Sequence, residues 1–372
     1  MVYNSLDKAK VGVRMGAQTQ PKLLLAAAFA IIFVIGFLFG NMTKYCSFSR
    51  VAVKDGAITE SETSIDKEAA LYVDLSAPDV TLPSIAKTSD KIHHEPSSCK
   101  AEPDLSFVYF IFSVAKQVER RKAIRETWGS LAKPPCGSRV IFVLNVVDGT
   151  SETKAEMESL QAQVDKEASD FQDILQFGHI LDSSRTLTNK TKATFEWFLR
   201  ECPDVPYLAK GEDHTYVNRQ DFEKYIVSHS QPEAIFGHCV YKNTVVFRDP
   251  KSYFYVARED YIEETYPEYV ISMMYAIPRN IIKTLLRKST EVKWIPLEDI
   301  YWTGMVADYA GVGRHNMEGY EYDYIFDRNR PYKCPKKDLI AVRYMPPSQF
   351  YKYWNDTCHI FPQCAGKNHS RA

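Results

Sequence analysis

The sequence predicts an α/β protein with a mostly parallel, doubly wound sheet, placed behind one apolar N-terminal segment and a polar spacer. Three observations lead there. Phe107–Val114 (FVYFIFSV) and Arg139–Val147 (RVIFVLNVV) are nearly continuous apolar runs, the pattern of strands buried on both faces. Polar, helix-length stretches alternate with such runs, as crossover connections require. Upstream, Leu23–Gly40 runs eighteen residues without a charge.

Taken in order, the apolar segment comes first. Eighteen helical residues span about 27 Å, close to the hydrocarbon thickness of a thin bilayer. Lys8, Lys10, Arg14 and Lys22 precede it against one acidic residue, Asp7, so positive-inside bias places the N-terminus in the cytosol. A cleaved signal peptide is the alternative, but its apolar region is normally shorter and followed by a small-x-small cleavage site. The expected organisation is a cytosolic tail at 1–22, a transmembrane signal anchor at 23–40, a luminal stem at 41–104 and a luminal body at 105–372. The stem is Ser-, Thr- and Asp/Glu/Lys-rich with no sustained apolar period.

Within the body, helices are expected over Gln117–Trp128, Ser151–Ala168 and Leu187–Arg200, the last with Leu187, Thr191, Thr194 and Phe198 on one face. Short strands are expected at Ile174–Phe177 and Tyr207–Lys210. Ligands of doubly wound sheets bind beyond the carboxyl ends of strands, which directs attention to the loop after Lys210. A net charge of −1 gives no reason to expect nucleic acid as a partner. All eight cysteines follow the apolar run and none is spaced as a CxxC pair, which suits disulfides in an oxidising compartment, with the pairing open. Sequons at Asn189, Asn355 and Asn368 are candidate glycosylation sites; a fourth, at Asn41, abuts the apolar run.

Two acidic segments carry chemistry. Glu212-Asp213-His214 stands at a strand end, where such side chains can hold a divalent cation against a diphosphate; an exposed acidic turn is the plainer alternative. Glu298-Asp299 precedes Ile300-Tyr301-Trp302-Thr303-Gly304. One of its carboxylates can act as a base toward an acceptor hydroxyl, although acidic residues also favour an ordinary helix start.

The order of several segments resembles glycosyltransferase family 31, the β-1,3-galactosyl- and β-1,3-N-acetylglucosaminyltransferases to which Fringe is related. Arg120–Trp128 (RRKAIRETW) is similar to that family's "RR.AIR.TW", Lys210–Asn218 (KGEDHTYVN) to "KTDDDVFVN", and Glu298–Gly304 (EDIYWTG) to "EDVYVTG". Asp173-Ile174-Leu175, Asp182-Ser183, Leu187-Thr188, Lys190-Thr191, Cys202-Pro203, Arg248-Asp249-Pro250 and Tyr266-Pro267-Glu268-Tyr269 fall between in the expected order.

The resemblance implies a GT-A type fold with a Rossmann-like sheet, a UDP-sugar donor, manganese as the divalent metal, and inversion at the anomeric carbon. It implies metal binding by Glu212, Asp213 and His214, and donor binding by Arg121, Arg125, Glu212 and Asp213. Asp299 would be the catalytic base. The sugar could be galactose, N-acetylglucosamine or N-acetylgalactosamine, passed to a glycolipid or glycoprotein acceptor in the Golgi.

Three departures from the pattern stand out. His214 replaces the last carboxylate, and imidazole lacks its charge. Val270–Tyr275 (VISMMY) contains no glycine where the family reads "CSGTGY". Arg343 stands where a histidine is frequent; it cannot ligate a metal but can pair with a diphosphate. The departures leave a second reading open: a catalytically silent module that binds a sugar or a partner transferase.

Overall fold

The computed structural model describes residues 92–131, 137–146, 153–229, 234–321 and 339–358. The expected tail and anchor, 1–22 and 23–40, and most of the stem lie outside the described residues. Among the described residues no helix is long and apolar enough to cross a membrane.

The strands are β1 (Ile92–His94), β2 (Phe107–Phe112), β3 (Ser138–Val146), β4 (Ile174–Leu181), β5 (Tyr207–Glu212), β6 (Tyr216–Val217), β7 (Ala234–Val240), β8 (Thr244–Val245), β9 (Thr265–Tyr266), β10 (Tyr269–Pro278), β11 (Gly313–Asn316), β12 (Tyr320–Glu321) and β13 (Ala341–Val342). The α-helices used below are α1 (Val118–Glu126), α2 (Lys154–Phe171), α3 (Leu187–Glu201), α4 (Arg219–His229), α5 (Arg279–Lys288) and α6 (Pro347–Cys358), with a π-helical segment at Ile300–Val306.

Eight strands form the main sheet in the order β1-β4-β3-β2-β5-β10-β7-β11. The block β4-β3-β2-β5 is parallel throughout, and every residue of β2 is buried, as expected for strands covered on both faces. Beyond β5 the expectation of a mostly parallel sheet gives way to a mixed one. β10 runs antiparallel to both β5 and β7, and β1 runs antiparallel to β4. The reason is connection length: helix-length crossovers give the parallel block, whereas β10 enters from the loop after β9 without one.

Helix α2 begins with a capping box, Thr153 accepting from the Glu156 amide while Glu156 accepts from the Thr153 amide. Helix α3 buries the face predicted for it, including Thr191, Thr194 and Phe198. At one edge, residues within the 41–104 interval join the folded body: β1 adds to β4, and Cys99 forms a disulfide with Cys202 at the end of α3. Cys239 is a buried free thiol.

Candidate active site

Strand β5 ends in the acidic triplet, and its three side chains part company there. Asp213 is buried and turns toward the neighbouring parallel strand end. Its Oδ2 accepts from Ser113 Oγ at 2.7 Å and its Oδ1 from Arg120 Nη1 at 2.9 Å. Glu212 turns the other way, accepting from Ser272 Oγ of β10 at 2.8 Å. Its Oε2 lies 3.3 Å from His214 Nε2 and 3.0 Å from Arg343 Nη2. Those last two contacts are close enough for charge pairing without the alignment of a hydrogen bond. Burial opposes ionisation of Glu212, but Arg343, His214, Lys210 and the Ser272 hydroxyl outweigh it and pull the carboxyl down to about 2. Burial pushes the His214 imidazole below its usual value despite both neighbouring carboxylates.

The glycine-free segment of β10 has a steric explanation in the strands beside it. Met274 is registered opposite Gly211 of β5, and Tyr275 opposite Gly237 of β7. A Cβ on Gly211 would meet Met274 Cε at 2.3 Å, and one on Gly237 would meet Val270 Cγ1 at 2.5 Å. The bulky side chains of β10 therefore lie against a glycine on each flanking strand. Ser272 is left as the small polar residue of this segment at the site.

Ser272 also joins the second acidic segment. Its backbone N–H donates to Asp299 Oδ2 at 3.3 Å while its hydroxyl donates to Glu212. Asp299 caps the π-helical segment through Ile300 N–H, a helix type that is rare and frequently found at functional sites. Burial and the adjacent Glu298 charge raise the Asp299 carboxyl to about 6, against the smaller pull of Lys210, the Ile300 amide and Arg343. Glu298 has a different job. It is buried and accepts from Lys210 Nζ at 2.8 Å and Tyr275 Oη at 2.6 Å. Of the two carboxylates, one is locked inside the fold and the other faces the site.

Arg343 arrives from a distant part of the chain. β13 pairs with β6, which lies just after the acidic triplet, and Met345 N–H donates to the His214 carbonyl at 2.9 Å. Between them Tyr344 takes a left-handed φ of 62°, a conformation that costs a non-glycine residue energy and recurs at functional sites. Its ring lies 4.5 Å beneath the Arg343 guanidinium and 4.9 Å from the His214 ring.

The arginines of α1 are arranged otherwise than expected. Arg121 is fully buried. Its five N–H groups go to Glu167 twice, Ser113 Oγ, and the Val114 and Ala115 carbonyls, which exhausts a guanidinium's donors. Arg125 forms a fork to both oxygens of Asp173 at 2.8 Å, donates to Glu167, and lies between the Phe142 and Phe171 rings. Arg121 is consumed in holding the loop after β2, and Arg125 in tying α1 to Glu167 and Asp173. Arg120 is the α1 arginine that reaches the acidic motif, and Ser113 joins it there. Lys190, buried in α3, donates to the Ser113 carbonyl at 3.0 Å, and burial pushes its ammonium down to about 8. Ser113, Arg120, Lys190 and Ser272 had no assigned role in the sequence; a polar residue ending the apolar run of β2 was the one available signal for Ser113.

A family model for galactosyltransferase matches residues 119–318, more than half of the chain, and spans α1, the acidic triplet and Asp299. The chain belongs to glycosyltransferase family 31. It is 26% identical over 282 residues to UDP-GlcNAc:betaGal beta-1,3-N-acetylglucosaminyltransferase 7 of Rattus norvegicus, covering 74% of this chain and 69% of that protein. It is 27% identical over 273 residues to the human UDP-GlcNAc:betaGal beta-1,3-N-acetylglucosaminyltransferase 8, covering 72% and 65%. Against human beta-1,3-galactosyltransferase 5 the figures are 24% over 260 residues, covering 69% and 80%.

In this family 31 member the expected metal ligands do not form a set. Among the described residues, Glu212, Asp213 and His214 do not converge on one point; His93, His94 and Asp165, far along the sheet at β1, are the group that does. Both Asp213 oxygens already accept a hydrogen bond, and Glu212 is paired with a guanidinium, so a divalent cation there would face a like charge. The site fits manganese poorly. Of the sequons, Asn189 and Asn355 are exposed, on α3 and α6, and Asn368 lies outside the described residues. Tyr216, Tyr301 and Trp302 are buried in the core, whereas Trp294 is exposed.

Proposed function

We propose that this chain is an inverting β-1,3-glycosyltransferase that moves a hexose from a UDP-sugar to a glycan acceptor, with Asp299 as base. The observation that carries the reading is the placement of Asp299: half-buried, and linked through Ser272 to the acidic motif at the end of β5, with burial raising its carboxyl to about 6. A base whose pKa lies just below neutral is mostly ionised at pH 7 yet remains a competent proton acceptor. As the acceptor oxygen attacks the anomeric carbon, its proton passes to Asp299. The bond from that carbon to the diphosphate breaks, and the nucleoside diphosphate leaves with the electron pair. Attack from the face opposite the leaving group inverts the anomeric centre.

The fold reads as GT-A type, with the donor beyond the carboxyl end of β5 where such sheets bind ligands. The names of the relatives support galactose or N-acetylglucosamine as the sugar; N-acetylgalactosamine stays in the test panel. The uncharged run at 23–40 and the Cys99–Cys202 disulfide support a type II protein with its body in the Golgi lumen. Replacement of a carboxylate by His214 favours one other reading, a silent module that binds sugar or a partner transferase.

The test is to incubate the full chain with UDP-galactose, UDP-N-acetylglucosamine or UDP-N-acetylgalactosamine and galactose- or N-acetylglucosamine-terminated acceptors. Product is read by mass spectrometry and its anomeric proton coupling by NMR. A β-linked product that Asp299→Asn abolishes is expected. An α-linked product would refute inversion, and no turnover of any donor would leave the silent module.

A further inference from the structure

Resting on the donor reading above, we propose that this chain holds the diphosphate of its donor without a divalent metal, Arg343 and Arg120 supplying the positive charge. Each of the two carboxylates at the end of β5 already carries its own guanidinium. Glu212 has Arg343 at 3.0 Å and Asp213 has Arg120 at 2.9 Å. Arg343 Nη2 and Arg120 Nη1 thus stand against the two carboxylates on which a metal would have to bind. Guanidinium groups recognise phosphate oxygens bidentately and keep their charge at every physiological pH.

The two arginines are not equivalent to surface cations. Side-chain exposure is 21% for Arg343 and 29% for Arg120, so each is mostly buried yet reaches solvent. Arg343 is aimed by its stack on Tyr344, whose left-handed backbone is tied down by the Met345–His214 hydrogen bond. Arg120 is aimed by Asp213, itself fixed by Ser113 Oγ. His214 lies within the electrostatic reach of both. The substitutions then form a coherent set. Losing the last carboxylate of the motif removes a metal ligand and one negative charge, and Arg343 adds a positive one, so the diphosphate meets less repulsion without a cation. The same changes make a metal redundant: it would have to displace Arg343 from Glu212 and then sit beside it.

The experiment is calorimetric titration of the detergent-solubilised full chain with UDP, in EDTA and in excess Mn2+. The expected Kd agrees within about threefold between the two conditions, and Arg343→Ala weakens it about tenfold or more in both, as loss of a charge-assisted fork would. Arg343→Gln, closer in size, should weaken it similarly, with thermal melting confirming that both variants fold. His214→Asp combined with Arg343→His should convert binding to Mn2+ dependence. UDP binding to the unaltered chain that requires Mn2+, or binding indifferent to both Arg343 substitutions, would overturn the inference and leave the transferase reading intact. No binding of UDP in either condition would overturn the donor reading itself.

Discussion

Two groups of arginine–carboxylate pairs flank the end of the parallel sheet, and they are built on opposite terms. Around Arg121 and Arg125, every donor of one guanidinium is matched and the other is forked onto Asp173 and shared with Glu167. Burial alone would raise the Glu167 carboxyl, yet the two arginines hold it below its ordinary value. Around Glu212, contacts are close but poorly aligned, His214 Nδ1 has no hydrogen-bond partner, and Asp299 is shifted upward. The same residue types give a structural latch where they are saturated and an incompletely paired site where they are not. Saturation leaves nothing to offer a ligand; incomplete pairing leaves charge that a ligand can complete.

The sharpest way to break that contrast is Asp299→Asn. It should lower the transfer rate by about 10³-fold, within the range of lost general-base catalysis, while folding stays at least as stable. Measurement of kcat beside a denaturation curve checks both; a loss of folding instead would place Asp299 with the latch. On the other side, Arg121→Ala leaves Glu167 buried beside a single remaining cation, and should cost about 3–5 kcal/mol. Urea denaturation reads it, and UDP affinity of the folded fraction should hold.

The pH dependence separates the two carboxylates of the site. Asp299, with its folded pKa raised, favours the folded state fully below its unfolded value near 3.8, and that contribution is lost as pH rises through about 6. The transfer rate should move the other way, falling about tenfold per unit below about 6. Glu212, lowered to about 2, contributes stability above its unfolded value near 4.5, lost as acid approaches 2. Denaturation midpoints from pH 3 to 8, for the unaltered chain and Asp299→Asn, should differ in slope between about pH 4 and 6. Superimposable curves would refute the raised carboxyl. The smallest effect should come from Tyr275→Phe, which removes one donor from buried Glu298 while Lys210 remains. A loss of about 1–2 kcal/mol is expected by the same denaturation assay.

The sequence determined the parallel block and the helices that cross it, because periodicity and burial are local signals: β2, β3, β5 and α3 lie where the apolar runs and patterned faces predicted. It determined family membership through the order of its motifs, and it singled out Glu212, Asp213, His214, Asp299 and Arg343 as positions of interest. Tertiary structure alone decided what each does. Whether an arginine is a ligand-facing cation or a latch depends on how many of its five N–H groups the fold has already used, and the partners of Arg121 come from Ser113, Val114, Ala115 and Glu167. Whether a carboxylate is an internal counter-ion or is left half-buried beside the acidic motif depends on which side of the chain it faces; Glu298 and Asp299 are adjacent in sequence and differ in surroundings. The room for bulky side chains in β10 became legible through strand register, since Gly211 and Gly237 lie far from Val270 and Met274 along the chain and in contact with them across the sheet. Hydrogen-bond saturation, facing and register are properties of pairs brought together by folding, and a single line of residues does not contain them.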